Sequence, residues 1–295
     1  ASVNLMIHGN VGTGQTFYDS SPSKHTITAN GNTTHSAAQS KFNGGSFYFD
    51  GNGDYLTIPD SADWDFGSGE FTVDAWIYPT SMTDSSGNSG TIICQDDNSS
   101  SKAWNIRLNS NATLLFRYTT DGSNEVDLTS SATGITINNW YHIAVVRREN
   151  TCAFYVNGVQ KGPSALSATI YSSSTLLLLG ARGVPNLYFT GYMDEVRITK
   201  GTALWGSAFT PPTRRNLSAP VVDRSGPHQG GNFNTTDMTN VATYRDGQVI
   251  EPVASAVWDF DGTDDFINLG KMVDPAATIG TNGTMCLWIN PAVVD

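Results

Sequence analysis

Positive charge is scarce in this 295-residue chain: 16 Lys and Arg stand against 27 Asp and Glu, a net charge of −11. A nucleic-acid partner needs clustered basic side chains to neutralise phosphates, so that class is excluded, as is docking on anionic lipid. Charge of either sign is thin. Charged residues reach 15%, against about 25% in ordinary globular chains, and Gly, Ser, Thr and Asn take their place. Neutral polar loops of this kind suit an extracellular or particle-surface protein better than a cytosolic enzyme. No apolar run approaches the ~20 residues of a membrane helix, so no membrane insertion is expected. No stretch sustains a 3.6-residue apolar period either, which excludes a substantial helix. The three cysteines, Cys94, Cys152 and Cys286, form no disulfide framework and have no metal-ligand spacing. Buried thiols are expected, with a Cys94–Cys152 bridge left open.

What the chain has instead is a rhythm of short aromatic or β-branched runs separated by Gly, Asn, Asp and Ser. They fall at 46–50, 55–59, 71–78, 91–95, 103–108, 113–118, 140–147, 152–156, 175–180 and 192–199. Short strands at regular spacing between turn residues predict an antiparallel all-β sandwich. Val156-Asn157-Gly158-Val159 reads as a hairpin with a type I′ turn, whose two central residues need φ > 0.

An internal repeat follows. Phe49-Asp50-Gly51 with Asp54-Tyr55-Leu56 returns as Phe260-Asp261-Gly262 with Asp265-Phe266-Ile267. Trp76-Ile77-Tyr78-Pro79 returns, at nearly the same spacing, as Trp288-Ile289-Asn290-Pro291. The expected organisation is one complete domain over 1–213, a Pro-rich basic linker, and the N-terminal part of a second copy over 217–295. Half a sandwich leaves a sheet edge and an apolar face bare. Further chain beyond Asp295, or a partner subunit, is therefore expected to complete it.

Four segments carry a resemblance. They are Phe47-Tyr48-Phe49-Asp50-Gly51 leading into Asp54–Pro59, then Phe71–Ile77, then Trp140–Val145 with Phe154–Gly158 behind it, and finally Gly191–Ile198. In that order they resemble the laminin-G-like domains of the concanavalin-A-like lectin and glucanase superfamily, which implies a jelly-roll sandwich. The tail from Ile198 to Trp205, followed by Phe209-Thr210-Pro211-Pro212, resembles a subgroup found in bacteriophage tail, fibre and virion-surface proteins. The sandwich serves lectins, adhesins, glucanases and structural modules alike.

Catalysis is not expected. Glycoside cleavage needs two carboxylates about 5–9.5 Å apart, and the one-strand acidic run of the superfamily's glucanases is missing; Asp194 and Glu195, adjacent on a strand, point to opposite faces. His142 reads as a packed structural histidine. Asp194 shares strand parity with Val196 and Ile198, so it is expected on the core face, where a carboxylate must be neutralised. Backbone N–H groups or an arginine would serve. The other solution is a structural Ca²⁺ held by Asp19, Asp194 and loop carbonyls. Asp50-Gly51-Asn52-Gly53-Asp54 mimics the opening of a calcium loop but lacks its later ligands, and reads as a tight turn.

Sugar recognition needs an aromatic face with amide or carboxylate partners for hydroxyls. The expected rim residues are Trp104, Tyr118 and Tyr188, with Trp64 a weaker candidate and Asn186 beside Tyr188. Two readings follow. One is a non-catalytic virion- or cell-surface component of a phage, with glycan recognition and assembly with other copies or appendage proteins. The other is a dedicated carbohydrate-binding lectin or adhesin module of a secreted bacterial protein. Both place the chain at a virion surface or outside the cell.

Overall fold

The computed structural model describes residues 3–9, 14–42, 45–183 and 186–213, together with the backbone at 244–245 and 248–249. In chain order the first strands are β1 (Leu5–Ile7), β2 (Thr28–Asn30), β3 (Thr34–Ser36), β4 (Ser46–Asp50), β5 (Tyr55–Ile58), β6 (Phe71–Pro79), β7 (Gly90–Asp96) and β8 (Lys102–Leu108). Then come β9 (Leu114–Thr119), β10 (Glu125–Thr129), β11 (Tyr141–Arg148), β12 (Thr151–Val156), β13 (Val159–Ala165), β14 (Leu177–Leu179) and β15 (Thr190–Lys200). They build two antiparallel sheets: β13-β12-β11-β6-β15-β4-β3, with β1 also on β15, and β10-β9-β8-β7-β14-β5-β2. The fold is an all-β two-sheet sandwich.

Period-two alternation explains why the sheets face each other. Phe71, Val73, Ala75 and Ile77 of β6 share one core with Trp104, Ile106 and Leu108 of β8 and Leu114, Phe116 and Tyr118 of β9. Burying each large apolar side chain stabilises the sandwich by about 1.5–3 kcal/mol. Cys152 lies in that core, and Cys94 is buried too; both are free thiols. Burial pushes each thiol up to about 12, so neither is a nucleophile at neutral pH. The open Cys94–Cys152 bridge does not form.

Two irregularities shape what lies outside the core. The first is a bulge in β15. Glu195 takes φ 52, and the pairing with β6 shifts between Asp194 and Arg197. Met193 and Val196 therefore both reach the core, while Asp194 pairs opposite Trp76 and shares its outward side. This corrects the expected core-facing parity of Asp194: an extra residue resets the alternation. The second is the segment after β15. Trp205 and Phe209 stack with ring centroids 3.9 Å apart and cover Ala144, Val146, Ala153 and Tyr155 on the outward face. At the β12–β13 turn, Asn157 and Gly158 take φ 48 and 76, as the sequence predicts, and Phe209 N donates to Gly158 O at 3.0 Å.

The chain divides into two compact units, Ala1–Ala219 and Pro220–Asp295. In the second, β16 (Tyr244–Arg245) pairs with β17 (Gln248–Val249). The rest of the expected second copy over 217–295, including Phe260, Trp288 and Cys286, lies outside the described residues.

Candidate ligand-binding faces

Three of the expected rim aromatics, Trp64, Trp104 and Tyr118, are core. Trp104 is 1% exposed and Tyr118 7%; directly opposed on β8 and β9, they point inward with Ile106 and Phe116. Trp104 Nε1 donates to Trp64 O at 3.1 Å, and Trp64 is itself buried. Buried rings offer no face to a sugar, so these positions are corrected to packing roles. Asn186 and Tyr188 are half-buried on the stretch that follows β14, and Tyr188 packs beside Gly90 and Leu108.

The carboxylates offered to calcium anchor the N-terminal strand instead. Asp19 Oδ1 accepts from Met6 N at 3.0 Å and Ser21 N at 2.8 Å. Its Oδ2 accepts from Ser21 Oγ at 2.7 Å and His25 N at 2.9 Å. Asp194 Oδ1 accepts from Gly9 N and Glu195 N, both at 2.9 Å. A hard cation needs oxygens whose lone pairs are aimed at it, and those of Asp19 are taken by donors. Among the described residues no three carboxylate, imidazole or thiol groups gather to hold a metal. The Asp50–Asp54 stretch is a turn: Gly51 and Gly53 take φ 82 and 84, and Asn52 N donates to Asp50 Oδ1 at 2.7 Å.

On the outward face of the first sheet, Asp74 and His142 form a buried pair. His142 Nε2 lies 3.1 Å from Asp74 Oδ2, and Arg197 Nε donates to Asp74 Oδ1 at 2.9 Å. Burial alone would raise the pKa of Asp74, but the Arg197 charge and the His142 hydrogen bond hold it below the usual carboxylate range. Trp205 and Phe209 each meet the His142 ring edge-on, at 5.5 and 5.7 Å. The imidazole is sealed from solvent and plays the packed role expected of it.

Further along the same face an aromatic row stays open. Tyr192 lies directly opposite Tyr48 on one neighbour and Tyr78 on the other, so the three rings share a side of the sheet. Ring centroids are 4.8 Å apart for Tyr48–Tyr192, 5.8 Å for Tyr78–Tyr192 and 5.5 Å for Tyr78–Trp140. All four side chains are half-buried. Burial, then the neighbouring Tyr192, Asp50 and Asp54, raise the Tyr48 hydroxyl pKa, keeping it neutral as donor and acceptor. Exposed Asn138 and Asn139 precede Trp140, and Asn138 N donates to Pro79 O at 2.8 Å. Nothing in the local sequence marks this row. Its members come from four strand regions, and only the pairing order reveals it.

The outward face of the second sheet carries a charged network. Cys94, Asn105, Arg117 and Asp127 lie opposite one another across β7, β8, β9 and β10. Arg117 grips Asp127 through Nε at 2.5 Å and Nη2 at 2.7 Å, and also pairs with Glu125. Arg182, from the stretch after β14, reaches over to Asp96 at 2.8 Å and pairs with Glu125. Asn105 Nδ2 donates to Asp96 Oδ2 at 2.7 Å. Sequence reading missed these arginines. The alternation in β9, with Phe116 and Tyr118 on either side of Arg117, is the signal that finds Arg117; Arg182 follows β14 and has no such signal.

The geometry fits a lectin-type sandwich, and comparison with known proteins agrees. The family model described as the concanavalin A-like lectin/glucanases superfamily, laminin-G type, matches residues 50–205, more than half the chain. The chain belongs to that superfamily. Among solved structures it is similar to the binding domain of Paraclostridial Mosquitocidal Protein 1, with TM-score 0.54, 16% identity, and coverage of 69% of this chain and 50% of that one. It is likewise similar to the botulinum neurotoxin serotype G binding domain, with TM-score 0.53, 16% identity, and coverage of 69% and 48%. The botulinum neurotoxin DC binding domain, solved in complex with rat synaptotagmin II, matches at TM-score 0.50 and 16% identity, over 68% and 49%. At such identities the likeness is one of fold, and this chain spans about half the length of each structure. These are toxin binding domains rather than phage proteins, so the phage-type resemblance of the tail gains no support from them. No curated protein matches the sequence.

Proposed function

We propose that the chain is a non-catalytic, extracellular carbohydrate-binding module, the lectin-like of the two readings, whose ligand lies on the row Tyr48–Tyr192–Tyr78–Trp140. The observation that carries this is the row itself. Four half-buried aromatic rings lie side by side on a sheet face, whereas most of the other large rings among the described residues are buried. Tyr and Trp present an apolar face and a polar edge, the combination that the C–H face and hydroxyls of a pyranose require. The rings are tilted by 41°, 78° and 56°, which suits separate sugar rings along a chain rather than one flat platform. Membership of a lectin-containing superfamily, and fold likeness to toxin binding domains, support a binding role. Surface glycans of a host or of the environment are the partners this reading names.

Profiling the full chain on a broad glycan array tests it. Binding is expected, and Trp140→Ala or Tyr192→Ala should weaken it about tenfold, a loss of ~1.4 kcal/mol, with Tm nearly unchanged. An array without ligand, together with a stable homo-oligomer by light scattering, would instead favour a structural role in which another copy covers the row.

A further inference from the structure

The network on the second sheet gathers four cations, Lys102, Arg107, Arg117 and Arg182, around three carboxylates, Asp96, Glu125 and Asp127. The carboxylates are all engaged by Lys102, Arg117 and Arg182. Arg107 has no ion pair among the described residues. Its Nε donates to Asn105 Oδ1 at 3.1 Å, but its Nη2 is buried with no partner, and the residue is only 8% exposed. Two more buried polar atoms without partners belong to the same place, Thr91 Oγ1 and Asn186 Oδ1. Thr91 lies directly opposite Arg107 in the β7–β8 ladder, so their side chains share a face. Thr91 N donates to Leu187 O at 2.8 Å, which brings Asn186, one residue earlier, beside it.

Buried polar groups are ordinarily paired, and an uncompensated buried charge is among the costliest features a fold can hold. Three orphans in one place, one of them on a guanidinium that Asp96 stabilises only at a distance and that has no ion pair among the described residues, describe half of an interaction. We infer that Arg107, Thr91 and Asn186 form a site for a carboxylate, carried by an acidic sugar of the uronate class. The carboxylate accepts from the Arg107 fork, which matches its geometry, and from the Thr91 hydroxyl. The Asn186 amide, whose two ends exchange by rotation about χ2, turns Nδ2 toward the same oxygen. Burial and the guanidinium groups of Arg117 and Arg182 lower Arg107 to about 10, so it remains charged at neutral pH and gains from an anion. Arg182, from the stretch after β14, reaches this same face through its pairs with Asp96 and Glu125. The saccharide part rests on the carbohydrate-binding reading; the anion site lies on the opposite sheet from the aromatic row and stands separately.

The test is a titration of the full chain with glucuronate, glucose and acetate, followed by Tm and by NMR chemical-shift changes. Glucuronate is expected to raise Tm progressively with concentration, as a ligand of the native state must, and glucose to leave it unmoved at the same concentrations. Thr91→Val, isosteric and losing only a hydroxyl without a partner, should fold normally and bind glucuronate several-fold more weakly. Arg107→Gln should abolish the response while leaving the free protein as stable as the parent or more so, a split that a purely structural arginine would not give. Trp140→Ala should leave this response intact, which separates failure here from failure of the aromatic row. Acetate matching glucuronate would overturn the sugar assignment while supporting the anion site. No response to either acid, or equal responses from parent and Arg107→Gln, would overturn the site.

Discussion

Asp74 shows what a single buried carboxylate contributes here. It is 1% exposed, held by two hydrogen bonds from Arg197 at 2.9 and 3.1 Å and one contact with His142 at 3.1 Å. Removing one partner of a buried pair leaves the other charge uncompensated, so Asp74→Asn should cost about 3–5 kcal/mol at neutral pH, measured by urea unfolding. The pKa of Asp74 is lower in the folded than in the unfolded chain, where it is about 3.9. Its contribution is therefore present above that unfolded value and lost as pH falls through the folded one. The Tm gap between parent and Asp74→Asn should narrow below pH ~4. A gap that stays constant down to pH 2 would mean that the carboxylate charge is not its source.

At the scale of elements, the strands themselves were legible. Each of the ten runs read from the sequence coincides with a strand, because alternation and turn residues are local signals. The strands that went unread are β1, β2, β3 and β10, and β13 was marked only by the Asn157-Gly158 turn before it; β10 and β13 are largely exposed and polar, and β1, β2 and β3 have three residues each. Their pairing comes from neighbours, not from their own pattern. The turn joining β12 to β13 offers an element-level prediction. A Cβ on Gly158 would lie 1.7 Å from Phe209 O, and φ 76 there already disfavours any other residue. Gly158→Ala should therefore lift Phe209 and Trp205 from the sheet. The expected readout is a red-shifted, more quenchable tryptophan fluorescence with a Tm several degrees lower. Unchanged fluorescence would show that this segment is held independently of the turn.

For the molecule as a whole, the two aspartates that suggested calcium tie β1 into the sandwich through backbone N–H groups. Stability should then be independent of the metal: adding Ca²⁺ to EDTA-treated protein is expected to leave Tm unchanged, and a rise of several degrees would overturn this account of Asp19. The candidate sites were less legible than the fold, for a physical reason. Asn186 and Tyr188 were named because they lie on a loop-like stretch over a rigid sheet, where binding residues concentrate, and both are half-buried there. Trp104 follows the polar stretch 96–102 and Tyr118 precedes the polar stretch 119–124, which suggested a rim, but their parity with Ile106 and Phe116 carries them into the core.

Sequence alone determined the antiparallel sandwich, the tight Asn157-Gly158 turn and the superfamily, because each depends on the order of residues along a few strands. It also set the chemical inventory: no acidic catalytic run, little charge, many aromatics. Tertiary structure decided which face each side chain serves. One bulge at Glu195 moved Asp194 from the expected core side to the outward side. Strand pairing lined up Tyr48, Tyr192 and Tyr78, which are far apart in the chain, and set Arg107 opposite Thr91 with no ion pair among the described residues. Parity is written locally, but neighbours across a sheet are chosen by the whole fold.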